Sequence, residues 1–129
     1  MKKERPELLD GYSRAFSVPN GNQQYAMIKL NLNLDENGKP YEVFFDVKDH
    51  YLFEHLNALG IMISRLLQQG VHLSDITEML SGIPSPHTNH TIPRIGIYCP
   101  SVYARIGYEI EQILTVMRGY SPTQETLKI

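Results

Sequence analysis

NGKPYEVFF (37–45), LFEHLNALGIMISRLLQQG (52–70) and VHLSDITEMLSGI (71–83) follow one another almost without interruption, and their reading decides the fold. Asn37-Gly38 is a short-range hairpin signal, because both residue types tolerate positive φ. Pro40 sets the entry to the next segment. Over residues 41–47 the pattern alternates: Val43, Phe45 and Val47 point one way, Glu42, Phe44 and Asp46 the other. From Tyr51 the period changes to about 3.6. Leu52, Leu56, Leu59, Ile63 and Leu66 then fall on one helix stripe, and Gly70 stands where a glycine ends a helix. Ser74 has the chemistry of an N-cap for a shorter helix ending near Ser81-Gly82.

Outward from that unit, residues 25–35 read as the clearest strand. Ile28, Leu30, Leu32 and Leu34 share one face, and Lys29, Asn31 and Asn33 share the other. Residues 11–18 (GYSRAFSV) form a candidate first strand, and Pro19-Asn20-Gly21-Asn22 has turn chemistry. The expectation is an antiparallel meander of about three strands with one apolar face for helices to cover. On the C-terminal side, residues 83–98 hold three prolines and no helical period, so they read as a long loop. Pro100 opens a last helix. Its buried stripe is Val102, Ile106, Ile110, Ile113 and Met117, and Gly119 ends it. Residues 1–10 read as an arm, 11–119 as a single domain and 120–129 as a tail. The fold class expected is α+β: a small antiparallel sheet covered on one face by two main helices and one short helix. Gly60, inside the long helix, costs about 1 kcal/mol relative to Ala unless something packs closely there. A neighbouring helix or a second subunit is expected to use the gap.

Bulk properties narrow the function. At 129 residues, one domain with a real core is expected. The net charge of −2 and the lack of a dense Lys/Arg stripe argue against a general nucleic-acid surface. No apolar run approaches the ~18 residues that span a membrane. A single cysteine forbids an intrachain disulfide and fits the cytoplasm, and the N-terminus has no signal-peptide pattern.

No nucleophile elbow, phosphate loop, dinucleotide fingerprint or H-E-x-x-H motif occurs. Asp46 and Asp49 read as a solvated strand end. His87 and His90 with Cys99 would supply three zinc ligands, but a structural site normally has four. Surface histidines on a proline-rich loop, and a small buried cysteine at a helix start, are the plainer readings. The most suggestive surface is the polar face of the two strands, where Lys29 and Asn31 lie beside Phe44. It offers a cation, an amide and a stacking aromatic to a nucleotide-like ligand. Arg65 and Arg94, with Tyr98, are further candidates, because a guanidinium matches two phosphate oxygens at once.

NGKPYEVFF, ALGIMISRLLQQGVHLSDITEMLSGI and IYCPSVYARIGYEI, with the lead-in RPELLDGYSRAF, together resemble the TSCPD domain over roughly residues 5–118. That module ends adenosylcobalamin-dependent ribonucleotide reductases and also occurs in small free-standing proteins. The family's name motif is here Ile97-Tyr98-Cys99-Pro100-Ser101, so Cys99 and Pro100 alone remain. Family members often carry a cysteine after the second strand, where this chain has DVKDHYLFEH. Family arginines are replaced by Ile61 and Gln68, and Arg65 appears one turn along. The resemblance does not imply reductase activity, which needs a much larger barrel and several cysteines.

Two functions are therefore expected. The first is a non-catalytic, cofactor-free binder of a nucleotide-derived small molecule or signal. It would sequester its ligand at a subunit interface of a homo-oligomer, as a phage- or mobile-element-encoded sponge would. The alternative is an accessory domain acting in trans on a class II ribonucleotide reductase.

Overall fold

Three antiparallel strands form where the sequence alternates. The computed structural model describes residues 10–119; most of the expected arm (1–9) and the expected tail (120–129) lie outside the described residues. β1 (Gly11–Pro19), β2 (Tyr25–Leu34) and β3 (Pro40–Val47) make one sheet in the order β1-β2-β3. Pairing runs Phe16↔Ile28↔Val47 and Arg14↔Leu30↔Phe45, which stacks the inward side chains of all three strands. Residues 35–39 close the β2–β3 hairpin. The Asp35 carboxylate accepts from the N–H groups of Asn37 and Lys39, and Gly38 takes φ 77°.

α1 (His50–Gln68) lies over β3. Asp49 caps it, accepting from the Tyr51 and Leu52 N–H groups and from Asn20 Nδ2. The carboxylate expected as a solvated strand end is therefore a structural cap. Leu52, Leu56, Gly60, Ile63 and Leu67 form the buried stripe, while Leu59 and Leu66 are partly buried at its margin. Gly70, at φ 91°, ends the helix in a Schellman arrangement, with Val71 N–H on Leu66 O and Gly70 N–H on Leu67 O. A Cβ on Gly60 would stand 3.1 Å from Val43 O and 3.4 Å from Phe44 Cα. The gap expected to serve another helix or subunit is filled by the chain's own β3 main chain. Next to it, Ser64 Oγ accepts from Val43 N–H and donates to Val43 O, both at 3.0 Å. α1 thus covers the outer edge of β3.

α2 (Leu73–Ser81) begins earlier than expected. Its N-cap is His72, without a side-chain bond, and Ser74 lies inside the helix. Burial of Leu73 with Ile76 and Leu80 draws the start forward. α3 (Val102–Met117) is capped by Ser101, which accepts from Ala104 N–H; Pro100 stands just outside. α2 packs on α3, where Gly107 admits the Thr77 carbonyl, and α3 also crosses β1.

The expected loop at 83–98 contains regular structure. β4 (His90–Thr91) pairs with β5 (Tyr98–Cys99) in a short antiparallel ribbon. Ile92 and Cys99 pack on Ala104 of α3 in a small second cluster. Pro93 and a positive-φ arginine in its turn hide this hairpin from any strand pattern. Among the described residues, no helix is long and apolar enough to cross a membrane.

Candidate functional site

The edge of β1, α3 and the β4–β5 ribbon enclose a groove of about 490 Å³. Its floor is ionic. Arg14 Nε donates to Glu109 Oε1 at 2.6 Å, and Arg105 Nε donates to Glu109 Oε2 at 2.7 Å. Glu109 and Arg105 are buried, and Arg14 is half-buried. Local structure explains the convergence. Arg14 sits on β1 in phase with inward-facing Phe16 and Val18. Arg105 and Glu109 stand four apart on α3, one turn of a helix, beside the stripe of Ile106 and Ile110. The Arg105 guanidinium also lies over the Phe16 ring, 5.1 Å from its centroid.

His90 completes this floor. Arg105 Nη1 lies 3.1 Å from His90 Nε2, and His90 Nδ1 lies 3.0 Å from Thr88 O. A guanidinium can only donate, so Nε2 accepts. Nδ1 therefore carries the proton and donates to the Thr88 carbonyl, and the ring is neutral. Burial lowers its pKa below the ordinary histidine value; the Thr88 bond opposes this, and the neighbouring Arg105 charge adds to the lowering.

Arg94 is exposed at the groove's rim, after Pro93 in the β4–β5 turn. Its φ is 74°, a region that favours glycine. The turn is closed by Ile92 N–H to Ile97 O at 2.8 Å and Gly96 N–H to Ile92 O at 3.0 Å. Among the described residues that line the groove, three are arginines and one is a glutamate. The arrangement can hold an anion. With both ring nitrogens engaged, His90 is not poised to abstract a proton.

The structure divides the residues singled out from the sequence. Lys29, Asn31 and Phe44 share the outer face of the sheet, opposite the core: Asn31 pairs with Phe44, and Lys29 with Asp46. Asn31 Nδ2 reaches Asp46 Oδ2 at 3.3 Å. Arg65 is exposed on α1 and borders a smaller depression of about 270 Å³ that Phe44 also lines. Arg94 belongs to the groove beside β1, and Tyr98 is exposed on β5 opposite Thr91 without lining that groove. The six candidates therefore do not converge on one site. Of the alternative trio, His90 and Cys99 are register partners and buried, while His87 is exposed. Among the described residues, no group of three or more His, Cys, Asp or Glu side chains could hold a metal ion.

Arg14, Arg105, Glu109 and the bonded role of His90 escaped the sequence reading. The signal was faint: one arginine in phase with the buried side chains of β1, and one charged pair beside the stripe of α3. Their meeting depends on how α3 crosses β1.

No curated protein and no solved structure matches the chain. The family model of the TSCPD domain matches residues 3–119, spanning all three sheet strands, the helices and the ribbon. With its strand-to-helix unit and Cys99-Pro100 at the foot of α3, the chain belongs to the TSCPD domain family.

Proposed function

We propose that this protein binds a small anionic, nucleotide-derived ligand without transforming it, in the groove between β1, α3 and the β4–β5 ribbon. The observation that carries this is Arg94. A non-glycine residue is held at φ 74°, on the rim of a groove already floored by Arg14 and Arg105. Such backbone positions cost of order 1–3 kcal/mol and concentrate at functional sites. The buried ions argue the same way. Well-packed apolar residues usually stabilise as much as a buried ion pair, so Arg105–Glu109, with half-buried Arg14 added to it, is poorly explained by stability alone. A groove of about 490 Å³ falls within the roughly 300–1,000 Å³ of small-molecule sites. Sequestration is the activity that suits a site whose described histidine and glutamate are both held in hydrogen bonds.

A thermal-shift panel of nucleotides, dinucleotides, cyclic nucleotides and ADP-ribose derivatives tests this. A ligand at 100 times its Kd stabilises by about 2.7 kcal/mol. The expected result is a clear shift for one class, recovery of that ligand unchanged, and loss of the shift in Arg94→Gly. Flat melting curves across the panel would remove the proposal.

A second reading draws on the sheet's outer face. Tyr25, Met27 and Phe44 are exposed there, 65%, 60% and 43% respectively. Aromatic and methionine side chains on an uncovered face suit a protein contact. A second copy, or a ribonucleotide reductase subunit engaged in trans, is the partner this reading proposes.

A further inference from the structure

β1 is an edge strand: within the described residues it pairs with β2 on one side and with no strand on the other. In an antiparallel ladder a residue sends its N–H and C=O to the same side, and neighbours alternate. Asp10 O accepts from Leu34 N–H, so the even-numbered residues face β2. The odd-numbered residues Ser13, Ala15 and Ser17 therefore face outward, into the groove they line. Arg105 Nη1 reaches Ser17 O at 3.5 Å from that side, which agrees with the alternation. At Ser13 and Ala15 the groove meets main chain that no other described residue bonds: the Ser13 carbonyl and the Ala15 N–H lie one pleat apart and face the same way. Both residues are exposed.

We infer that this main-chain edge reads a nucleobase, so that the groove's ligand is a nucleoside phosphate rather than a phosphate or sugar phosphate alone. The inference rests on the anion-binding reading above and adds what selects the ligand. The Ser13 carbonyl needs a donor and the Ala15 N–H needs an acceptor. The hydrogen-bonding edge of a nucleobase presents a donor and an acceptor side by side on one rigid plane. The phosphate end goes to the part of the groove that Arg14, Arg105 and Arg94 line, with Arg94 exposed at its rim. Glu109 repels anions, but two guanidiniums bracket its carboxylate. A flat ring forming two main-chain bonds here satisfies polar groups that β1 otherwise leaves to water.

The test compares inorganic phosphate, ribose 5-phosphate, the four common nucleoside 5′-monophosphates and purine riboside 5′-monophosphate by isothermal titration. The proteins are wild type, Arg94→Gly and Ala15→Pro. Proline at position 15 removes an outward N–H, and edge strands tolerate proline. At least one nucleoside monophosphate should bind about tenfold or more tighter than ribose 5-phosphate, the gain expected of two main-chain hydrogen bonds. Ala15→Pro should remove that gain and leave ribose 5-phosphate binding intact. Arg94→Gly should weaken every phosphate ligand. Should Ala15→Pro fail to fold, the unsubstituted purine, which has the ring acceptor without the exocyclic donor, gives the same comparison on the wild-type protein and should lose most of the gain. Equal affinity for ribose 5-phosphate and all nucleotides would overturn the base-reading inference and leave the anion site standing. No binding of any phosphate ligand would overturn the site itself. Displacement of the nucleotides by an extended acidic peptide, with the peptide binding tighter, would show that the edge takes a strand instead.

Discussion

Arg94, Glu109 and His90 make different demands on the fold, and substitution separates them. Glycine occupies positive φ at no steric cost, so Arg94→Gly should leave the melting temperature of the unliganded protein unchanged or slightly raised. A marked destabilisation would mean that Arg94 is structural and not held for a ligand. Glu109→Gln removes the charge between two guanidiniums, one of them buried. Losing one partner of a buried pair costs about 3–5 kcal/mol, and the chemical denaturation midpoint should fall accordingly. His90 contributes a pH response of its own. Its pKa is lower in the folded protein than its ordinary value of 6.5, so the unfolded chain binds the proton more readily. Its contribution to stability is therefore full above that value and is lost as pH falls through the lowered folded pKa. Melting temperatures recorded from pH 8 down to pH 4 should decline more steeply below about pH 6.5 in wild type than in His90→Gln. Matching slopes would show that protonation of His90 is not coupled to folding.

At the scale of elements, the contact of α1 with β3 is the tightest joint in the sheet layer. Gly60 lets the helix approach the Val43 carbonyl, and Ser64 bonds both polar groups of Val43. Gly60→Ala would gain about 1 kcal/mol of helix propensity. It would also place a methyl 3.1 Å from a main-chain oxygen held in the sheet. Overpacking of this kind costs about 1–3 kcal/mol, so a net loss of up to about 2 kcal/mol is expected. The check is the urea midpoint at an unchanged m-value. A stabilised variant would show that α1 can lift off β3 freely. The helices themselves were legible in the sequence. α1 and α3 carry stripes at a period of 3.6, and Gly70 marked a C-terminus that Val71 and Leu66 close. The start of α2 was not, because Ser74 advertised a local cap while burial of Leu73 set the boundary. The β4–β5 ribbon was not, because a two-residue pairing carries no periodicity. What holds it is Ile92 and Cys99 on Ala104, a contact with a helix further along the chain.

At the scale of the molecule, the helices cover one face of the sheet and the other carries Tyr25, Met27 and Phe44 in the open. Gly60 no longer argues for a second subunit, since the main chain of β3 fills its gap. The outer face still does. If it joins two copies, size-exclusion chromatography with light scattering should give a mass above the monomer, and Phe44→Glu should return it to 14.8 kDa. A monomer at all concentrations would leave the face to another partner or to solvent.

What the sequence by itself determined is whatever repeats at short range. The alternation of residues 25–35 and 41–47, the turn at Asn37-Gly38 and the two helical stripes specify strands, helices and an α+β layer, because each records which side of an element faces the core. Lys29, Asn31 and Phe44 were correctly expected on one outward face for the same reason. Only the tertiary structure decided where the charges meet. Arg14 and Glu109 are 95 residues apart, and they touch because α3 crosses β1 at Phe16. The Arg14–Glu109–Arg105–His90 floor and the rim at Arg94 come from the packing of three separate segments, and local periodicity holds no record of such packing.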